Sequence, residues 1–168
     1  MTISMYQASA PRFINTLSNL SLILDKAAAH AEAKKIDPLV LTSARLFPDM
    51  FALTRQVQIA TDQAKGSMAR LAGVEIPKYE DNEQTFPELK ERIAKTIEFV
   101  KSFKPEQIDG TEDKEIVFPG GGGERRFKGM QYLLGWVYPN FYFHVTTTYA
   151  LLRHNGVEIG KGDFLGTP

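Results

Sequence analysis

Residues 128–156, KGMQYLLGWVYPNFYFHVTTTYALLRHNG, decide how this chain folds. At about 100° per residue, Leu133, Val137, Asn140, His144, Thr147, Thr148 and Leu151 fall within about 40–60° of one direction, which predicts one buried helix face. The helix should run from about Lys128 to His154 and stop at Asn155-Gly156. Pro139 lies inside it and removes one backbone hydrogen bond, so a kink is expected around Tyr138 to Asn140. Polar groups interrupt the apolar stripe. An unpaired buried polar side chain costs about 1–3 kcal/mol, so Asn140 and His144 need partners inside the protein.

Working outward, residues 113–127 change character: Glu115-Ile-Val-Phe-Pro119, the glycines Gly120 to Gly123, then Glu124-Arg-Arg-Phe127. This pattern predicts a small β-hairpin inserted before the last long helix. The glycines lack the Lys-Ser/Thr of a phosphate-cradling loop. Upstream, Thr85-Phe-Pro-Glu88 has the form of a capping box, and Leu89, Ile93, Ile97 and Val100 continue a helix to Phe103 before Lys104-Pro105 ends it. Met50, Leu53, Val57, Ala60, Ala64, Met68 and Leu71 make another helix, which begins after Phe47-Pro48 with Asp49 in its first turn and stops at Gly73. Phe13, Leu17, Leu20, Leu24 and Ala28 make the first, from about Ser4 to Lys35; at Pro11 it either kinks or restarts with Ser9 as cap. The chain thus reads as mainly α, with four long helices and one hairpin.

With 168 residues, one domain spanning 1–168 accommodates everything. Twenty basic and twenty acidic side chains cancel, which disfavours nucleic acid and anionic membranes as partners. The absence of cysteine excludes disulfides, zinc-thiolate sites and thiol nucleophiles, so any metal must use N/O ligands. Met1-Thr2-Ile3-Ser4-Met5-Tyr6 lacks the features of a secretory signal, and no apolar stretch reaches the roughly 20 residues that span a bilayer. A cytoplasmic location is expected.

The candidate site centres on His144. Asn140 and His144 are one turn apart, a spacing that lets two ligand atoms converge, as in metal and cofactor sites built between bundle helices. The other reading is that His144 hydrogen-bonds another buried side chain. From the second long helix, Asp49 and Gln56 lie within about 40–60° of the buried direction set by Leu53. Asp49 also suits a helix first turn through the helix dipole alone. Thr147 completes the pocket set. His30 and His154 sit near helix C-termini and are expected on the surface, as is Arg153, which projects about 180° from His144. The aromatic run Phe141-Tyr142-Phe143, with Trp136, Tyr138 and Tyr149, leaves no polar side to the last helix. It points to a homodimer interface or an aromatic ligand pocket.

Over the stretch from Pro139 to Leu165 the sequence resembles a family of small microbial proteins known only as a domain of unknown function, and the likeness covers nearly the whole chain. That family is similar, more distantly, to the DinB/YfiT-like four-helix bundles, which include metalloenzymes and thiol-dependent transferases. The resemblance implies a metal held by one His of the second helix and a His-x-x-x-His pair on a late helix. Here Asn140 and His144 occupy the pair, with Arg153 and Gly156-Val157 following as in many such helices. Asn140 replaces the first His, and no His lies between Asp49 and Gly73. Amide oxygens bind late divalent metals less well than imidazole, so Asp49 or Gln56 would make any nickel, zinc or manganese site oxygen-rich. Two functions follow: a degenerate metal-dependent hydrolase or transferase with a small-molecule pocket at His144, or a non-catalytic dimeric stress-related or ligand-binding bundle that has lost the metal.

Overall fold

Ser4 opens the first helix. Its hydroxyl accepts the Gln7 amide while the Gln7 side chain answers the Ser4 amide. In the computed structural model, which describes residues 3–166, this helix, α1, runs Met5–Lys34 without a break. Pro11 is accommodated inside it. Ser9 is not a cap, because its hydroxyl turns back onto the Met5 carbonyl at 2.6 Å.

The remaining elements are α2 (Pro38–Thr42), α3 (Leu53–Ala72), α4 (Phe86–Lys101), α5 (Pro105–Ile108), β1 (Glu115–Gly120), β2 (Gly123–Lys128), α6 (Gly129–Gln131), a π-helical stretch (Tyr132–Val137), α7 (Tyr138–His154) and α8 (Lys161–Leu165). Four long helices make the bundle: α1 packs on α4, α4 on α3 and α3 on α7, and α7 returns to α1. Their apolar stripes meet in one core, with Phe13, Leu17 and Leu24 from α1, Val57, Ala64 and Met68 from α3, Leu89 and Ile93 from α4, and Phe141 and Leu151 from α7. No helix among the described residues is long and apolar enough to cross a membrane.

The Thr85–Glu88 capping box is present at the start of α4, and Gly73 ends α3 in the left-handed conformation at φ 75°. Two boundaries differ from expectation. Helix α3 starts at Leu53, because residues 43–52 form a turn tied back by Leu53 N to Ala44 O at 3.0 Å and by Thr54 Oγ1 to Thr42 O at 3.1 Å. The irregularity expected at Tyr138 to Asn140 lies one turn earlier, where Tyr138 N bonds Leu133 O, five residues back. Pro139 has no N–H for Gly135 O and its ring would press on that carbonyl; the widened turn relieves both.

The hairpin pairs Glu115 with Lys128 through Gly120 with Gly123. Gly122 and Gly123 take φ of 104° and 134°, which other residues rarely adopt. Phe118 and Phe127 stack on each other and pack edge-on or tilted against Tyr132 and Trp136, fastening the hairpin to the π-helical stretch. At the other end, α8 is strapped onto α1: Lys26 pairs with Asp163 at 2.6 Å, and Asn19 donates to Phe164 O at 3.3 Å.

A candidate site where α3 meets α7

Helical phase brings Gln56 of α3 against His144 of α7. Both are buried, 1% and 8% exposed, and Gln56 Oε1 stands 2.7 Å from His144 Nδ1. Gln56 Nε2 donates to Phe51 O at 3.0 Å, which fixes the amide with its oxygen toward the ring. His144 therefore donates through Nδ1. Burial and then the nearby Arg55 guanidinium push its pKa down to about 4, so at neutral pH the ring is uncharged and Nε2 keeps its lone pair.

The other sequence-selected residues are placed differently. Asn140 is half-buried and donates to Trp136 O at 2.6 Å, within its own helix. Thr147 is buried and likewise turns inward to Phe143 O at 2.7 Å, as Thr148 does to His144 O at 2.9 Å. Asp49 is not in a helical first turn; it is exposed in the turn before α3. Of the set, the structure joins only His144 and Gln56 by a hydrogen bond. Arg153 and His154 are exposed as expected, whereas His30 is half-buried, its ring beside Gly156.

These donors do not fit a resident divalent metal. His144 Nε2 offers one nitrogen, while Gln56 Oε1 is taken by the ring, the Asn140 amide is turned to its own backbone, and Asp49 is out in solvent. Among the described residues no group of three or more His, Asp or Glu side chains is arranged to hold an ion.

A second polar cluster escaped sequence reading. Arg92, only 3% exposed, lies on the apolar face of α4 beside Leu89 and Ile93. Its Nε donates to Thr61 Oγ1 at 2.7 Å, and its Nη atoms pair with Asp62 at 2.8 Å, Asp81 at 2.7 Å and Glu83 at 3.0 Å. Arg55 adds a bond to Asp81 at 2.6 Å, and Gln58 one to Glu83 at 2.8 Å. Burial raises the pKa of Asp81 and Glu83, but these bonds outweigh it and hold both carboxyls below their ordinary range. The cluster ties segment 74–84 to α3 and α4. An arginine in the stripe Leu89, Arg92, Ile93, Thr96, Val100 was the available signal.

The sequence profile of a domain of unknown function, DUF1993, matches residues 5–165. The fold is similar to the crystal structure of a DinB family member protein from Shewanella denitrificans, with TM-score 0.92 and 42% identity over 97% of this chain and 92% of that one. No match is found among curated proteins. With its profile spanning nearly every residue and its helices superposing on a DinB family member, the chain belongs to the DUF1993 family, a branch of the DinB-like four-helix bundles.

Proposed function

We propose that this chain is a DinB-like bundle that has lost the metal and acts as a homodimeric, non-catalytic binding protein. The hydrogen bond between His144 and Gln56 carries the reading, because at the seam of α3 and α7 the imidazole pairs with an amide, and the second long helix, on which the DinB-like pattern has a histidine, has none. The dimer surface is the outer face of α7. Phe143 is 56% exposed beside Leu46 in a groove of about 390 Å³, which Tyr142, Thr146, Thr147 and Ala150 complete. Phe47 and Phe51, also exposed, follow in the same turn. Such apolar clustering is what a second copy would cover. A cytoplasmic setting suits a chain without cysteine.

One observation favours the other reading: His144 Nε2 retains a lone pair, so a weakly held divalent ion serving hydrolase or transferase chemistry is the alternative. Sedimentation equilibrium and metal analysis of untagged protein, after incubation with nickel, zinc or manganese and dialysis, separate the two. The expected result is a dimer that Phe143→Asp with Leu46→Asp converts to a folded monomer, carrying less than about 0.1 ion per chain. A stoichiometric ion that disappears in His144→Ala overturns the metal-free reading, and a monomeric native protein overturns the dimer.

A further inference from the structure

Away from His144, segment 74–84 lies against α3 and α4 and carries Tyr79. Three cations approach its ring: Lys65 Nζ at 3.6 Å from the centroid, Lys95 Nζ at 4.5 Å and Arg92 Cζ at 4.9 Å. Beside it opens a cleft of about 500 Å³, with Lys65, Gly66 and Arg70 of α3 on one wall and Ile76, Pro77 and Tyr79 on the other. That volume lies within the usual range for small-molecule sites.

The charges in this cleft are unevenly matched. Its two carboxylates are already paired, Asp62 with Arg92 at 2.8 Å and Lys65 at 3.1 Å, and Asp81 with Arg55 at 2.6 Å and Arg92 at 2.7 Å. Arg70 and Lys78, also in the lining, have no carboxylate within 4.0 Å among the described residues. Neutral groups hold the Arg70 guanidinium: Nη1 donates to Tyr132 Oη at 3.0 Å, and Cζ lies 4.8 Å from the Phe118 ring centroid. Glycine is a poor residue inside a helix, yet at Gly66 a Cβ would lie 2.7 Å from Arg70 Nη1. Gly66 thus leaves the seat in which the guanidinium rests. The Tyr79 hydroxyl, shielded from solvent, has no hydrogen-bond partner among the described residues.

We propose that this cleft binds a small organic anion, a carboxylate or phosphate on an apolar body, with Arg70 and Lys78 taking the anionic group and Ile76, Pro77 and Tyr79 covering the body. A guanidinium with free donors matches either oxyanion, and the apolar wall explains why the body matters. The site is separate from the seam of α3 and α7, so its failure would leave the reading of His144 untouched.

An amide NMR titration of the full chain with benzoate, phenyl phosphate, inorganic phosphate and benzyl alcohol tests it. Saturable shifts at Gly66 and Tyr79 are expected from benzoate or phenyl phosphate in the ~mM range, whichever binds better naming the anion. Inorganic phosphate and benzyl alcohol should bind at least about tenfold more weakly, each lacking one half of the recognition. Arg70→Gln should weaken binding about tenfold, and Gly66→Ala should weaken it while conserving every charge. Lys78→Gln, at an exposed position, provides the same test without disturbing the helix and should cost about threefold. Absence of saturable shifts at Gly66 and Tyr79, equal binding of benzyl alcohol, or undiminished binding to Arg70→Gln and Lys78→Gln overturns the proposal.

Discussion

His144 and Gln56 meet across the α3–α7 seam with Nδ1 and Oε1 2.7 Å apart, and the burial of the ring there, with Arg55 nearby, gives the fold a pH dependence. The ring titrates near 4 when folded against an ordinary 6.5. Between these values the unfolded chain binds more protons than the native one, so stability rises with pH there. The contribution is complete above about pH 6.5 and is lost as pH falls toward 4. Urea unfolding at pH 7 and pH 4.5 should show the loss in the native protein, and His144→Phe should lack that part of the slope. An identical slope in both would show that His144 is not the titrating group.

Restoring imidazoles should restore a metal. Gln56→His with Asn140→His supplies the two nitrogens that the DinB-like pattern has and this chain lacks. The double variant is expected to take up about one nickel or zinc ion per chain and to gain thermal stability on loading. Native protein titrated alongside should show neither effect. Failure of the double variant to bind would mean that backbone geometry at the seam, and not only side-chain identity, has departed from a metal site.

Arg92 tethers segment 74–84 through both Asp81 and Glu83. Arg92→Met leaves Asp62, Asp81 and Glu83 without their shared guanidinium, and is expected to cost about 2–4 kcal/mol in urea unfolding. The figure is set below that of a sealed ion pair because the Asp62 and Asp81 side chains remain 35% and 36% exposed. Amide exchange at residues 79–83 should accelerate more than exchange in α1. Uniform exchange would assign the anchoring of this segment to other contacts.

Among the glycines of the described residues, Gly129 leaves the least room between its own position and another stretch of main chain. A Cβ there would overlap the Thr111 carbonyl oxygen, in the loop whose Glu112 O accepts Met130 N at 2.9 Å. Gly129→Ala should therefore cost about 1–3 kcal/mol as overpacking against main chain. Gly135→Ala is the control, since nothing lies within 4 Å of a Cβ at that position, and it should be neutral to about 1 kcal/mol stabilising. Equal melting temperatures for the two variants would contradict the packing argument.

Most of the fold could be read from periodicity because each long helix buries one continuous apolar stripe. The Thr85–Glu88 box and the Gly120–Gly123 run are local signals, and local chemistry placed them. Gln56 was found for the same reason, being in phase with Leu53 and Val57 inside α3. Asp49 was misplaced because the same phase was carried past the true helix start, which a bond from Leu53 N to Ala44 O decides. Pro139 signalled an irregularity, but its clash falls on the Gly135 carbonyl four residues back, so the widened turn lies earlier than the proline itself. The shared carboxylates of Arg92 depend on what lies opposite in space, and no spacing along the chain encodes that. Asn140 and Thr147 were in phase with His144, but their side chains found nearer acceptors one turn back.

The widened turn at Tyr132–Val137 holds one residue in reserve. A π-helical turn absorbs about one more residue than an α-helical turn without carrying the rest of the helix around with it. Removing one residue from this stretch would leave ordinary helix on either side still in phase, with His144 still aimed at Gln56. The same deletion between Pro139 and His144 would swing the imidazole by about 100° out of the seam. The aim of His144 is thereby insulated from a one-residue change in chain length on the hairpin side.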